Sequence, residues 1–179
     1  MSTSADSVLR DGATARLHAL PYSDPVAQDL IGRVQQEYVE RYGGLDATEV
    51  DPAEFEPPEG LFLVAEVDGE PIGCGAWRRV GPGVAEVKRL YVAPGHRRRG
   101  VAQVVLDALE DSAGRAGHRS MVLNTGDRQP EALAFYGRNG YGPVPGYGVY
   151  ACAPGAVFLG KELAEPRHQA EHEEAPWAS

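Results

Sequence analysis

The chain is 179 residues long and 42% hydrophobic, enough for the core of one domain, and 17 Lys and Arg stand against 26 Asp and Glu for a formal charge of −9. Such a surface repels the phosphate backbone on which nucleic-acid affinity rests, so no nucleic-acid partner is expected. Two cysteines, Cys74 and Cys152, suggest neither a disulfide framework nor a zinc site, and the absence of a long apolar run or a basic-then-apolar leader points to a cytoplasmic protein without a membrane partner.

Residues 1–12 are small and polar and are expected to be a flexible N-terminus, with the domain proper over 13–163 and a flexible acidic tail over 164–179. The last eighteen positions, 162–179, carry −4 of the formal charge, so the body is only mildly acidic. Ala15 to Leu20 predicts a first strand. Ser23-Asp24-Pro25 supplies a capping side chain and a first-turn proline for a helix with Ile31, Val34 and Tyr38 on one face. Gly43 to Gly60, rich in Asp, Glu and Pro, suits an exposed connection near a site.

Leu61 to Val67, the turn Asp68-Gly69 and Pro71 to Arg79 predict a hairpin, with Val84 to Val92 as the third strand of a meander. Val101, Val104, Val105 and Ala108 recur at helical spacing up to the Gly114–Gly117 stop, and Met121 to Asn124 is a short buried strand. Pro130 opens a helix carrying Phe135 and Tyr136 that ends at Asn139-Gly140, after which Tyr147 to Tyr150 and Ala156 to Gly160 suggest a closing hairpin. This order implies a mixed sheet covered by helices, an α/β or α+β layered domain.

Between the third meander strand and the next helix lies Leu90-Tyr91-Val92-Ala93-Pro94-Gly95-His96-Arg97-Arg98-Arg99-Gly100-Val101-Ala102. Unpaired amides at a helix N-terminus, its positive dipole end and nearby guanidinium groups can hold a pyrophosphate, and Gly100 lets the anion approach the main chain. Taken alone, three arginines are equally a solvated surface cluster. The pattern Arg97-x-x-Gly100-x-Ala102 after an apolar strand, with Gln129, Ala132, Phe135, Tyr136 and Gly140-Tyr141 downstream in the same order, resembles the GCN5-related N-acetyltransferase superfamily over roughly 15–163. Ala102 stands where many members have Gly, and Gln129 where many have Asn.

The resemblance implies a mixed, mostly antiparallel central sheet with helices on both faces, splayed between its fourth and fifth strands, those holding Val92 and Met121, so that a pantetheine arm lies between them. It implies acetyl-coenzyme A as cosubstrate, contacted by Leu90, Tyr91, Val92, Arg97, Arg98, Arg99, Gly100, Val101, Ala102 and Gln129. Glu86 aligns with a catalytic glutamate and is expected to act as general base, through water or directly. Tyr136 matches the family's general acid, and the Val92 N–H would polarise the thioester carbonyl. Strand alternation places Lys88 and Arg89 on opposite faces, so at most one is expected in the acceptor pocket. The five scattered histidines suggest no metal site.

The expected function is therefore transfer of acetyl to a primary amine of a small molecule by direct attack on the thioester, with a homodimer as a further expectation from the family. Acetylation of proteins or peptides, with Gly43 to Gly60 lining a groove, and a non-catalytic coenzyme A sensor are the alternatives.

Overall fold

The computed structural model describes residues 4–164. Its strands are β1 (Ser4–Val8), β2 (Thr14–Ala19), β3 (Gly60–Val67), β4 (Glu70–Gly81), β5 (Val84–Val92), β6 (Ser120–Gly126), β7 (Gly142–Pro143) and β8 (Ala156–Glu162). They form one sheet in the order β1-β2-β3-β4-β5-β6-β8-β7, antiparallel throughout except where β5 meets β6. Three helices cover it: α1 (Pro25–Tyr42), α2 (Val101–Arg115) and α3 (Pro130–Arg138).

The sheet separates two apolar clusters. On one face Ala27, Leu30, Ile31 and Val34 of α1 pack with Phe62, Val64, Cys74, Ala76 and Tyr91. On the other, Val101, Val105, Leu106 and Leu109 of α2 and Tyr136 of α3 pack with Leu61, Leu63, Ile72, Trp77, Val87 and Met121. Alternation along β3, where Leu61 and Leu63 serve one cluster and Phe62 and Val64 the other, fixes its register because a slip by one residue would exchange the faces. The Trp77 indole donates to Ser112 Oγ at 3.1 Å and so pins β4 to α2 without leaving a buried N–H unpaired. Asp24 caps α1 by accepting from the Val26 amide at 2.8 Å, an interaction worth about 1 kcal/mol.

Three expectations from the sequence need correction. Ser4–Val8, expected to be flexible, pairs antiparallel with β2, because Leu9 is buried and Gly12, at φ 84°, closes a turn that returns the chain. Tyr147 to Tyr150 is not a strand: Gly148 adopts φ 64° and opens a short helical turn, and the closing pair is instead Gly142–Pro143 with β8. The Gly43 to Gly60 connection is not uniformly exposed, since Pro52–Phe55 forms a helical turn that buries Phe55 against Tyr22, ring centroids 4.7 Å apart.

The feature that shapes the site is the contact between β5 and β6. Only Val84, Ala85 and Glu86 pair with Ser120, Met121 and Val122; beyond them β5 keeps β4 as its neighbour, β6 keeps β8, and the two strands separate. This is the splay expected between the strands that hold Val92 and Met121; the additional N-terminal strand makes them fifth and sixth in the chain.

Candidate active site

The loop from β5 into α2 is held in place by its own arginines. Arg97 donates from Nε to the Val92 carbonyl at 2.9 Å, lies over the Tyr91 ring at 5.9 Å and pairs with Glu37 of α1. Arg99 donates from Nε to Asp11 at 2.5 Å and meets His96 Nδ1 at 2.7 Å. Arg98, at φ 64°, is exposed and makes no side-chain hydrogen bond or ion pair among the described residues. Gly100 occupies the N-cap of α2 at φ 91°, a conformation that disfavours a side chain, and no side chain caps the helix. The first intrahelical bond runs from the Val104 amide to the Gly100 carbonyl at 3.1 Å, so the amides of Val101, Ala102 and Gln103 are left for an outside acceptor. Uncapped donors, a positive helix end and an exposed guanidinium fit the pyrophosphate of a nucleotide cosubstrate.

The splay runs along β5 from Val87 to the start of that loop. Leu90 packs against the α2 cluster and Tyr91 against the α1 cluster, one on each side of the sheet. Tyr136 is buried in the cluster on the α2 face, its ring edge-on to Tyr141 at 5.4 Å. Burial lifts its phenol well above the ordinary value, and Tyr38 on α1 adds to the shift, so Tyr136 stays protonated through neutral pH and can serve as a donor. Gln129, at the N-cap of α3, donates to the Tyr42 hydroxyl at 3.1 Å; with the Arg41 pair to Glu131 at 2.5 Å, this ties the end of α1 to the start of α3. Gly126 leaves room for Tyr42 at that junction: a Cβ would fall 2.1 Å from the Tyr42 hydroxyl oxygen and push the ring aside.

Glu86 lies at the last paired position before the splay, 3% exposed. Arg78 reaches it from β4 at 3.1 Å and pairs with Glu54 at 2.7 Å, so two carboxylates share one guanidinium. Glu54 is placed by a capping box with Asp51, whose own carboxylate accepts from Ala53 N at 3.0 Å. The Tyr147 hydroxyl is buried against Glu86; burial first, then the Glu86 charge and its contact with the hydroxyl, raise the phenol.

Two residues along β5 the strand carries a bulge: between the pairs Cys74–Tyr91 and Ala76–Lys88, Gly75 alone faces both Arg89 and Leu90. Arg89 takes φ 58° there. The bulge overturns the alternation argument, because Lys88 and Arg89 now reach the same carboxylate: Lys88 Nζ lies 3.1 Å and Arg89 Nη1 2.5 Å from Asp46 Oδ2. The other oxygen, Oδ1, accepts from the Thr48 amide at 2.9 Å and the Tyr150 hydroxyl at 3.2 Å. Burial pushes the Asp46 carboxyl up, but Lys88, the Thr48 amide and hydroxyl and Arg89 together pull it further down, below its ordinary 3.8. Tyr38, facing the same group of charges, is pushed up to about 12, by burial first.

Glu86 lies at the last β5–β6 pair, and Tyr136 lies in the cluster on the α2 face. Sequence reading missed Asp46, Tyr38, Arg78, Tyr147, Tyr150 and Arg10. The last belongs to the β1–β2 turn: its amide donates to the Arg99 carbonyl at 2.9 Å, and its side chain lies 3.4 to 3.8 Å from where a Gly100 Cβ would be. The only advance signal for this set was the acidic, proline-rich composition of Gly43 to Gly60. Among the described residues no three His, Cys, Asp or Glu gather to hold a metal ion, and no helix is long and apolar enough to cross a membrane.

An uncapped helix start following a strand that parts from its neighbour, with a buried tyrosine in the same α2-face cluster, defines an acyl-coenzyme A transferase architecture. The chain belongs to the acetyltransferase (GNAT) family, whose model matches residues 30–141. It is 31% identical over 144 residues to the IAA acetyltransferase of Azospirillum brasilense, covering 80% of this chain and 94% of that one. It is 30% identical over 139 residues to an uncharacterised N-acetyltransferase of Schizosaccharomyces pombe, covering 73% and 85%. Among solved structures, one from Klebsiella pneumoniae, provisionally assigned as an acyl-CoA N-acyltransferase, matches with a TM-score of 0.70 and 29% identity over 83% of this chain and 97% of that one. The fold is also that of the PaiA N-acetyltransferase of Thermoplasma acidophilum, solved with coenzyme A, at a TM-score of 0.64 and 18% identity over 83% and 98%.

Proposed function

We propose that this enzyme transfers acetyl from acetyl-coenzyme A to a primary amine of a small molecule, in the cytoplasm, by direct attack of the amine on the thioester. The observation that carries the reading is the continuity of two features along one short stretch, the strand that parts from β6 and the uncapped α2 N-terminus that follows it; the buried Tyr136 of α3 is the donor proposed beside them. Val101, Ala102 and Gln103 amides, Arg98 and the Gly100 turn would hold the pyrophosphate, while Leu90, Tyr91 and Val92 would line the pantetheine track and Gln129 would stand at its far end. Bound there, the cosubstrate supplies an activated acetyl group and a sulfur that must be protonated as the amide forms.

Tyr136 holds that proton at Oη, kept there by its buried surroundings. Glu86 receives the proton the amine must lose, through water, its carboxylate held in position by Arg78 at 3.1 Å. The Val92 N–H is the donor available at the parted edge for the carbonyl oxygen, an arrangement of the kind that stabilises charge developing on oxygen. A small acceptor, rather than a protein segment, is favoured because Asp46, paired with Lys88 and Arg89, and Tyr150, which donates to it, lie across the β5 bulge.

The test is release of free coenzyme A thiol, with the acetylated product identified by mass, across a panel of amines, amino acids, polyamines, aminoglycosides and peptides. Acetylation of small amines is expected. Acetylation of peptides alone would replace this reading by the protein-directed one, and coenzyme binding without any transfer would replace it by a sensor.

A further inference from the structure

The acceptor side of the β5 bulge has two poles of opposite charge. At one, two cations share one carboxylate: Lys88 and Arg89, with side chains 11% and 3% exposed, both converge on Asp46 Oδ2. Asp46 has nothing further to give, since its other oxygen already accepts from Thr48 and Tyr150. The cations are not satisfied in turn. Arg89 Nε makes no hydrogen bond of normal geometry among the described residues, the Tyr22 hydroxyl being the other polar group that bears on its side chain, and a guanidinium carries five donors. At the other pole, two carboxylates, Glu86 and Glu54, share the single guanidinium of Arg78, with the Tyr147 hydroxyl alongside. One segment spans both poles: Asp46 and Thr48 lie at Lys88, and the Glu49 carbonyl and Glu54 lie at Arg78.

Resting on the acetyltransferase reading above, we infer that the acceptor is an amine that also carries a carboxylate, gripped by Lys88 and Arg89 while its amino group faces Glu86. The surplus positive charge is nearly dry, where a like charge is costly and an added anion completes both the charge and the open donors of Arg89. A polyamine or aminoglycoside would bring a second cation against Lys88 and Arg89. A carboxylate-bearing amine places one sign at each pole.

The experiment compares matched acceptors that differ only in the acid: amino acids, their primary amides and their decarboxylated amines, each with acetyl-coenzyme A and thiol release as readout. The expected result is a kcat/KM about 10²-fold or more higher for the acids, because a site built to bind a polar group strongly rejects analogues that lack it. Lys88→Gln should reduce that acid-to-amide ratio to a few-fold. Equal kcat/KM for acids, amides and amines, or a preference for the amines, overturns the inference while leaving the acetyltransferase reading intact. Absence of acetylation from every member of every set overturns both.

Discussion

The two halves of the site are built in different ways. The donor half is almost continuous in the chain: β5, its loop and the first turn of α2 run from Leu90 to Ala102, and only Tyr136 and Gln129 come from further along. The acceptor half is assembled from segments that meet only in the folded protein. Asp46 lies 42 and 43 residues from Lys88 and Arg89, and 104 residues from Tyr150. The donor half must present backbone amides, which local turn chemistry can arrange. The acceptor half must balance charges drawn from two separate loops, a neighbouring strand and a bulge.

If this division is right, changes in the two halves should separate kinetically. Tyr136→Phe removes the proton donor at the junction and should lower kcat about 10²–10⁴-fold, with coenzyme A affinity by calorimetry little changed. A matching loss of affinity would mean the tyrosine only packs the gap.

On the acceptor side, Asp46→Asn leaves Lys88 and Arg89 without their carboxylate and should cost about 3–5 kcal/mol of stability in denaturant unfolding at pH 7. Because the folded carboxyl titrates below its ordinary 3.8, this contribution is complete above about pH 4 and fades as pH falls through the lowered value. The gap between wild type and variant should therefore stay constant from neutral pH to about pH 4 and shrink below it. A gap that is insensitive to acid would show that Asp46 is not the ionised hub.

Gly100→Glu places a side chain at φ 91° and a negative charge at the uncapped helix start, and should weaken coenzyme A binding about 10²-fold or more while leaving the fold assembled by circular dichroism. The smallest effect is expected from Arg10→Ala. Its side chain lies beside Gly100 and would add charge for a phosphate, so its loss should raise KM for acetyl-coenzyme A a few-fold without altering kcat. An unchanged KM would confine the donor half to the loop itself.

The same contrast explains what could be read from the sequence. Hydrophobic periodicity and turn residues predicted β2, the β3–β4 hairpin, β5 and all three helices, because each depends on neighbours a few positions away. The motif from Arg97 to Ala102 was legible for the same reason. β1 was missed because its strand is polar and the residue that anchors it, Leu9, is a single apolar position. Lys88 and Arg89 were placed on opposite faces by strict alternation, which a bulge breaks without leaving a composition signal beyond Gly75. Asp46 and Tyr150 carry no local pattern at all; their meaning comes from the cations they meet. Glu86 was singled out by resemblance, whereas its clamp by Arg78, eight residues earlier on the neighbouring strand, follows from hairpin register.

The most direct test of the account is a crystal structure with coenzyme A bound. It should show the pyrophosphate on the amides of Val101, Ala102 and Gln103, the pantetheine between β5 and β6 beyond Glu86, and the sulfur within hydrogen-bond reach of Tyr136 Oη. Coenzyme A bound elsewhere, or its sulfur turned away from Tyr136 and the β5 bulge, would contradict the claim that the two halves meet there.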